Sequence, residues 1–285
     1  MIDVGSGPPL VLIPGVQGRW EWLKPAVDVL QQHFRIITFS LAGDHGSGRS
    51  FDPACGFDNY LNQIEEVLIR ARLTEAAICG VSFGGLIALH WAARRPEHTQ
   101  SLILVSTPPP RFIPDWRIRC YLRAPRALSV VFAAQSPFRL GPEIWAAFDN
   151  TSHRLAFSLR HLVRIARAPF SASRMAERAA LLGTVDFEAE CQQVSAPTLV
   201  VTGEASLDRV ISVTESQSYA DLIAGAQYQT LNNTGHVGLV TQPQRFAELL
   251  RQFVAHPIAK RDTTSETSSV DSWVSADVNL SVEDQ

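Results

Sequence analysis

Cys79-Gly80-Val81-Ser82-Phe83-Gly84-Gly85 is the stretch on which the fold turns. The residues before it, Ala76-Ala77-Ile78-Cys79, read as a short buried strand, and those after it, Leu86 to Arg95, as a helix stopped by Pro96. Gly80 and Gly84 lack the β-carbons that would collide where the backbone doubles back. The Ser82 hydroxyl can therefore stand exposed at the C-terminal edge of a sheet. A serine in such a G-x-S-x-G strand-to-helix turn is a candidate nucleophile.

A serine hydroxyl is a weak nucleophile until a base takes its proton. Of the 8 histidines, His236 has the right setting. It lies in the turn-rich loop Asn232-Asn233-Thr234-Gly235-His236-Val237-Gly238, after the strand-like run Gln227–Leu231 and before a helix from about Pro243 to Val254. A third group must hold the imidazole in its productive tautomer. The β-branched run Pro197–Gly203 ends just before two acids, Glu204 and Asp208. Ser82, an acid at 204–208 and His236 follow one another in the order Ser…Asp/Glu…His, with 126 residues from Ser82 to Asp208 and 28 from Asp208 to His236. The longer interval leaves room for an inserted domain.

With these residues the chain resembles the α/β-hydrolase family over roughly residues 5–255. Ile13-Pro14-Gly15-Val16-Gln17-Gly18 looks like the family's oxyanion loop, with Pro14 where a histidine often stands. Ser82 matches the family's nucleophile and His236 its base. For the acid, Asp208-Arg209-Val210-Ile211-Ser212 fits the family's phase, with Ser212 replacing a proline. The usual spacing after the glycine lands on Ser206 instead, so the loop reads as longer than usual. The pattern favours Asp208 over Glu204. The resemblance implies an oxyanion hole from the backbone N–H groups of Val16 and Phe83, the latter at a helix N-terminus whose dipole favours negative charge. It also implies a serine hydrolase that cleaves carboxylic esters or lactones through an acyl-enzyme, without metal or organic cofactor. Haloperoxidase-type perhydrolysis, carbon–carbon bond hydrolysis, acyl transfer or a non-catalytic ligand-binding role stand as alternatives on the same scaffold. Dehalogenation is disfavoured, since it uses an aspartate where Ser82 stands.

The implied fold is α/β: a mostly parallel central sheet with helices on both faces and a helical cap inserted after the sixth strand. Strands are expected at Pro9–Pro14, Phe34–Phe39 and Ser101–Val105. Helices are expected from Trp22 to Gln32, burying Trp22, Ala26, Val29 and Leu30, and from Asp58, as cap, to Arg72. The family places two strands before the oxyanion-loop strand, and few residues are available there. The sheet is therefore expected to lack its first edge strand or strands, unless the chain starts late. Residues 1–107 and 197–256 form the expected core, 108–196 the cap, and 257–285 a disordered, acidic, Ser/Thr-rich tail.

Within the cap, helical runs are expected at Glu143–Asp149, Arg154–Arg167 and Ser173–Leu182. Leu155, Leu159, Leu162 and Ala166 make an apolar stripe flanked by Arg160, Arg164 and Arg167. Residues 108–196 hold 12 arginines, no lysine and 7 acids, a balance of +5 against −8 for the remainder of a chain of net charge −3. This is either an attraction for anionic substrates or a solvated face whose arginine stems cover apolar area. Trp20, Trp22, Trp116 and Trp145 are candidates for core packing or for an acyl pocket. His45, in a glycine-rich loop, reads as loop rather than as a second base.

At 285 residues and 46% hydrophobic, the chain can bury a large core. The slight net negative charge gives no pull toward nucleic acid. Cys55, Cys79, Cys120 and Cys191 are scattered without metal-ligand spacing and read as reduced thiols. The longest apolar runs, such as Ala127–Ala134, are far too short to span a bilayer, and a cytoplasmic location is expected. The expected partner is a small-molecule ester or lactone. Oligomeric state and substrate-binding residues are not legible.

Overall fold

Short apolar runs alternating with helical stretches assemble into one sheet. A computed structural model describes residues 1–112 and 116–255. Seven strands are present, β1 (Ile2–Val4), β2 (Pro9–Ile13), β3 (Arg35–Thr38), β4 (Ala76–Val81), β5 (Thr99–Val105), β6 (Thr198–Thr202) and β7 (Gln227–Thr230). They lie in the order β1-β3-β2-β4-β5-β6-β7, every neighbouring pair parallel except β1 with β3. The helices are α1 (Lys24–Leu30), α2 (Asp58–Ala71), α3 (Phe83–Arg94), α4 (Trp116–Arg123), α5 (Pro125–Ala147), α6 (Thr151–Arg167), α7 (Ala172–Leu181), α8 (Phe187–Gln193), α9 (Val213–Ser216), α10 (Ser218–Leu222), α11 (Gly238–Thr241) and α12 (Pro243–Ala255). None among the described residues is long and apolar enough to cross a membrane.

Every residue of β4 is buried, as expected of a central parallel strand covered on both faces. Alternate side chains serve opposite layers. Val11, Ile13 and Ile78 join Ile64, Leu86, Trp91 and Phe187 on one face. Leu10, Leu12, Ala77 and Cys79 join Leu30, Phe246 and Leu250 on the other. Each such fully buried Leu, Ile or Phe contributes about 1.5–3 kcal/mol. The strand order reverses at β2, with β3 on one side and β4 on the other, so the loops after β2 and β4 meet at a crevice at the strands' C-terminal ends.

One strand, β1, precedes β2 where the family places two. Three residues carry too little periodicity to be read, and it is held by its antiparallel register on β3 and by Arg35 donating to Asp3 at 2.9 and 2.6 Å. The helical segment α4–α8 follows the fifth strand of this chain, which is the sixth when the family's two leading strands are counted. The N-cap of α2 is Phe57, not Asp58, which is the first helical residue. In α1 it is Val27, not Val29, that is buried.

The helix expected to begin at Glu143 is the last part of α5, which runs through Pro137 and Pro142. A proline lacks the N–H that would bond the carbonyl four residues earlier, so Pro142 releases Phe138 O. Arg209 Nη1 donates to it at 3.2 Å. Leu155, Leu159 and Leu162 of α6 are more than half exposed, and the helix instead presents Phe157 and His161 to its neighbours, His161 edge-on to Trp22. Trp116 and Trp145 are exposed, Trp145 beneath the Arg154 guanidinium, so neither packs in the core. Arg160 is exposed and Arg164 half-buried. From Phe187 onward the chain packs with the core, where Phe187, Cys191, Val194 and Ala196 join the α3 cluster and His90 Nδ1 lies 2.6 Å from Glu190 Oε1. The segment 257–285, read above as a tail, lies outside the described residues.

Candidate active site

Ser82 sits between β4 and α3 with φ 53° and ψ −122°, a left-handed conformation that costs a side-chain-bearing residue about 1–3 kcal/mol and persists only where its surroundings over-determine it. The surroundings here are backbone. A β-carbon on Gly80 would meet Gly84 O at 2.1 Å, and one on Gly84 would meet Ile13 O and Pro14 O at 2.5 Å each. These close approaches press the loop after β2 against the turn, and a β-carbon on Gly15 would stand 3.4 Å from Ser82 Cβ. The N–H of Ser82 donates to Val105 O at 2.8 Å, tying the turn to β5. Phe83 is the first residue of α3, where backbone N–H groups have no intrahelical acceptor. Among the described residues, neither its N–H nor that of Val16 meets a protein acceptor.

The structure brings Ser82, His236 and Asp208 together. His236 Nε2 lies 3.1 Å from Ser82 Oγ, and its Nδ1 lies 3.3 Å from Asp208 Oδ2. Asp208 accepts the Val210 and Ile211 N–H groups on its other oxygen at 2.8 and 3.1 Å. Burial alone would raise the Asp208 carboxyl, but the imidazole's hydrogen bond and charge, with the two N–H groups, outweigh it and hold it below the usual carboxylate range. An ionised acceptor at Nδ1 requires the proton there, so Nε2 presents its lone pair to the serine hydroxyl. Burial disfavours the imidazolium, yet the Asp208 bond and charge, with the Glu143 charge, lift His236 above its ordinary value.

Glu204 takes a different place. Its Oε1 accepts the Asn233 N–H at 2.7 Å, and its N–H donates to Thr234 O at 2.8 Å, so it stitches the acid loop to the histidine loop from outside. His45 is exposed, and its carbonyl accepts from Arg19; it does not join the site.

Two residues of the helices between β5 and β6 reach the site's loops, and the sequence reading singled out neither as such. Glu143, on α5 and fully buried, accepts the N–H groups of Gly235 and Val237 on its Oε2 at 2.9 and 3.0 Å, while Oε1 has no hydrogen-bond partner. Burial pushes its carboxyl from an ordinary 4.5 up to about 7, against the pull of the Val237 N–H and of His236. The available signal was its isolation, for it is the sole acid between Asp115 and Asp149. Arg178, on α7 and also buried, donates to Val16 O at 2.8 Å, to Tyr60 Oη at 3.3 Å and to Asp44. It thus holds the loop after β2 from α7. Among the described residues, no group of His, Cys, Asp and Glu gathers that could hold a metal ion.

Sequence comparison accords with this geometry. A family description of the alpha/beta hydrolase fold matches residues 8–243. The chain belongs to the α/β-hydrolase family. This α/β-hydrolase is 28% identical over 253 residues to the protein named "Putative carbamate hydrolase RutD" of Stutzerimonas stutzeri, spanning 88% of this chain and 92% of the relative. It is 30% identical over 275 residues to the pimeloyl-[acyl-carrier protein] methyl ester esterase of Stenotrophomonas maltophilia, spanning 89% of this chain and 96% of the relative. Among solved structures, the enol-lactonase of Burkholderia xenovorans superposes with a TM-score of 0.73 over 90% of this chain and 95% of that one, at 19% identity. At that identity the likeness is one of fold.

Proposed function

We propose that this α/β-hydrolase is a serine hydrolase that cleaves carboxylic esters or lactones through an acyl-enzyme on Ser82. The reading is carried by one observation, the unbroken relay from Ser82 Oγ through the His236 ring to Asp208. Ser82 attacks the carbonyl carbon while His236 Nε2 takes its proton, and Asp208 steadies the imidazolium. The negative oxygen of the tetrahedral intermediate is met by the N–H groups of Val16, in the loop after β2, and of Phe83, at the start of α3 where the dipole favours an anion. His236 returns the proton to the leaving alcohol, whose bond to the carbonyl carbon breaks. Water then repeats the sequence, releasing the acid and restoring Ser82. A methyl ester esterase among the sequence relatives supports an ester substrate.

The test is a panel of p-nitrophenyl esters of graded chain length with several lactones, run beside labelling by a fluorophosphonate probe. The wild type is expected to hydrolyse part of the panel and to be labelled at Ser82. Ser82→Ala should lose both, with turnover reduced on the order of 10³-fold or more. Full turnover in that variant, or a wild type that neither hydrolyses nor labels, would defeat the proposal.

A further inference from the structure

We infer that Glu143 is a positioning residue for His236, by which the cap helix α5 holds the imidazole in register and sets a negative charge beside it. The inference rests on the reading of His236 as the base.

The argument begins with the backbone. His236 lies in a loop, and its neighbours' N–H groups have no strand or helix to bond them. Glu143 Oε2 accepts both, from Gly235 on one side of the histidine and Val237 on the other. The fit is close, since a β-carbon on Gly235 would stand 2.8 Å from that oxygen and 2.7 Å from Leu207 O. Two further contacts fasten α5 to the same region. Gln242 Nε2 donates to Ala147 O at 2.5 Å, and Arg209 donates to the Phe138 carbonyl that Pro142 sets free. The helix therefore grips the acid's loop and the base's loop together, although 92 residues separate Glu143 from Gly235.

The second oxygen points to function rather than to packing alone. Glu143 Oε1 is buried without a partner, a costly arrangement for a carboxylate that a neutral amide would lessen. The titratable groups that face the carboxyl are His236 and Asp208, one from each loop. Above about pH 7, where the Glu143 carboxyl is ionised, it favours the imidazolium that forms when Ser82 is deprotonated, and its charge contributes to the raised His236 value.

Glu143→Gln keeps an acceptor for the two N–H groups and removes the charge. It should lower kcat on the order of tenfold, the scale of a lost supporting shell. His236 should then protonate at lower pH, moving the acid limb of kcat/KM downward, and imidazole nitrogen NMR should report the same shift without turnover. Glu143→Ala removes the acceptor too, and should lower kcat about a hundredfold with KM little changed. Unchanged kcat and an unmoved acid limb in Glu143→Gln would overturn the inference. So would a rise in KM alone, which would make Glu143 a substrate contact. Ser82→Ala is measured beside them: if it is inactive while the Glu143 variants are silent, only this inference falls, whereas an active Ser82→Ala removes the underlying reading as well.

Discussion

Glu143 makes a thermodynamic prediction that is independent of substrate. Its carboxyl titrates near 7 in the folded chain against an ordinary 4.5. Between those values the folded protein holds a proton that the unfolded chain has lost. Stability therefore falls as pH rises through this window, and it is fully retained only below about 4.5. Each pH unit is worth about 1.4 kcal/mol, so the whole interval costs about 3 kcal/mol, levelling off above pH 7. Glu143→Gln has no such titration.

The difference in unfolding free energy between Glu143→Gln and wild type should therefore grow in the variant's favour by roughly 2–3 kcal/mol from pH 5 to pH 8. Asp208, held low, has the opposite dependence, with its stabilisation lost as pH falls through its folded value, but it is common to both proteins and cancels. Urea titrations followed by tryptophan fluorescence at half-unit pH steps measure the difference. A constant difference across the range, or one of opposite sign, would refute the reasoning. The expected pairing of higher stability with lower kcat would be a trade of stability for activity at a single buried carboxylate.

Asp208→Asn should reduce kcat by about 10³- to 10⁴-fold, whereas Glu204→Gln should stay within about threefold of wild type, because Glu204 bonds the Asn233 N–H rather than the imidazole. Steady-state kinetics on the best ester separates the two, and the reverse order would reassign the acid. Arg178→Met leaves Asp44 buried without its ion pair and should cost about 3–5 kcal/mol, part of it recovered by adding Asp44→Leu. A loss below 1 kcal/mol in thermal or chemical denaturation would sink that account. Gly84→Ala drives a β-carbon into the carbonyls of Ile13 and Pro14 and should cut fluorophosphonate labelling or soluble yield severely, whereas Gly183→Ala, with nothing within 4 Å, should be neutral.

Much of the site was legible because its signals are local. Gly80, Ser82 and Gly84 fall within five residues, and their spacing encodes a turn that only glycines permit at its two crossings. His236 was legible from its place in a turn-rich loop after a strand. Asp208 was read only by analogy, since Glu204 stands at the same strand end, and what separates them is the direction in which the loop carries each carboxylate. Strand β1 and the continuation of α5 through two prolines escaped for a related reason. Register on β3 and an arginine from another loop supply what local propensity lacks.

By itself the sequence determined the alternation of strand and helix, the tight serine turn and the chemical types available at the strand ends, because each is set by residues within a few positions of one another. Only the tertiary structure decided which carboxylate meets the imidazole, and that Glu143 of α5 and Arg178 of α7 reach across to the His236 loop and the loop after β2. Those choices depend on buried hydrogen bonds between segments far apart in the chain, whose strength comes from exclusion of water and whose partners no local pattern specifies.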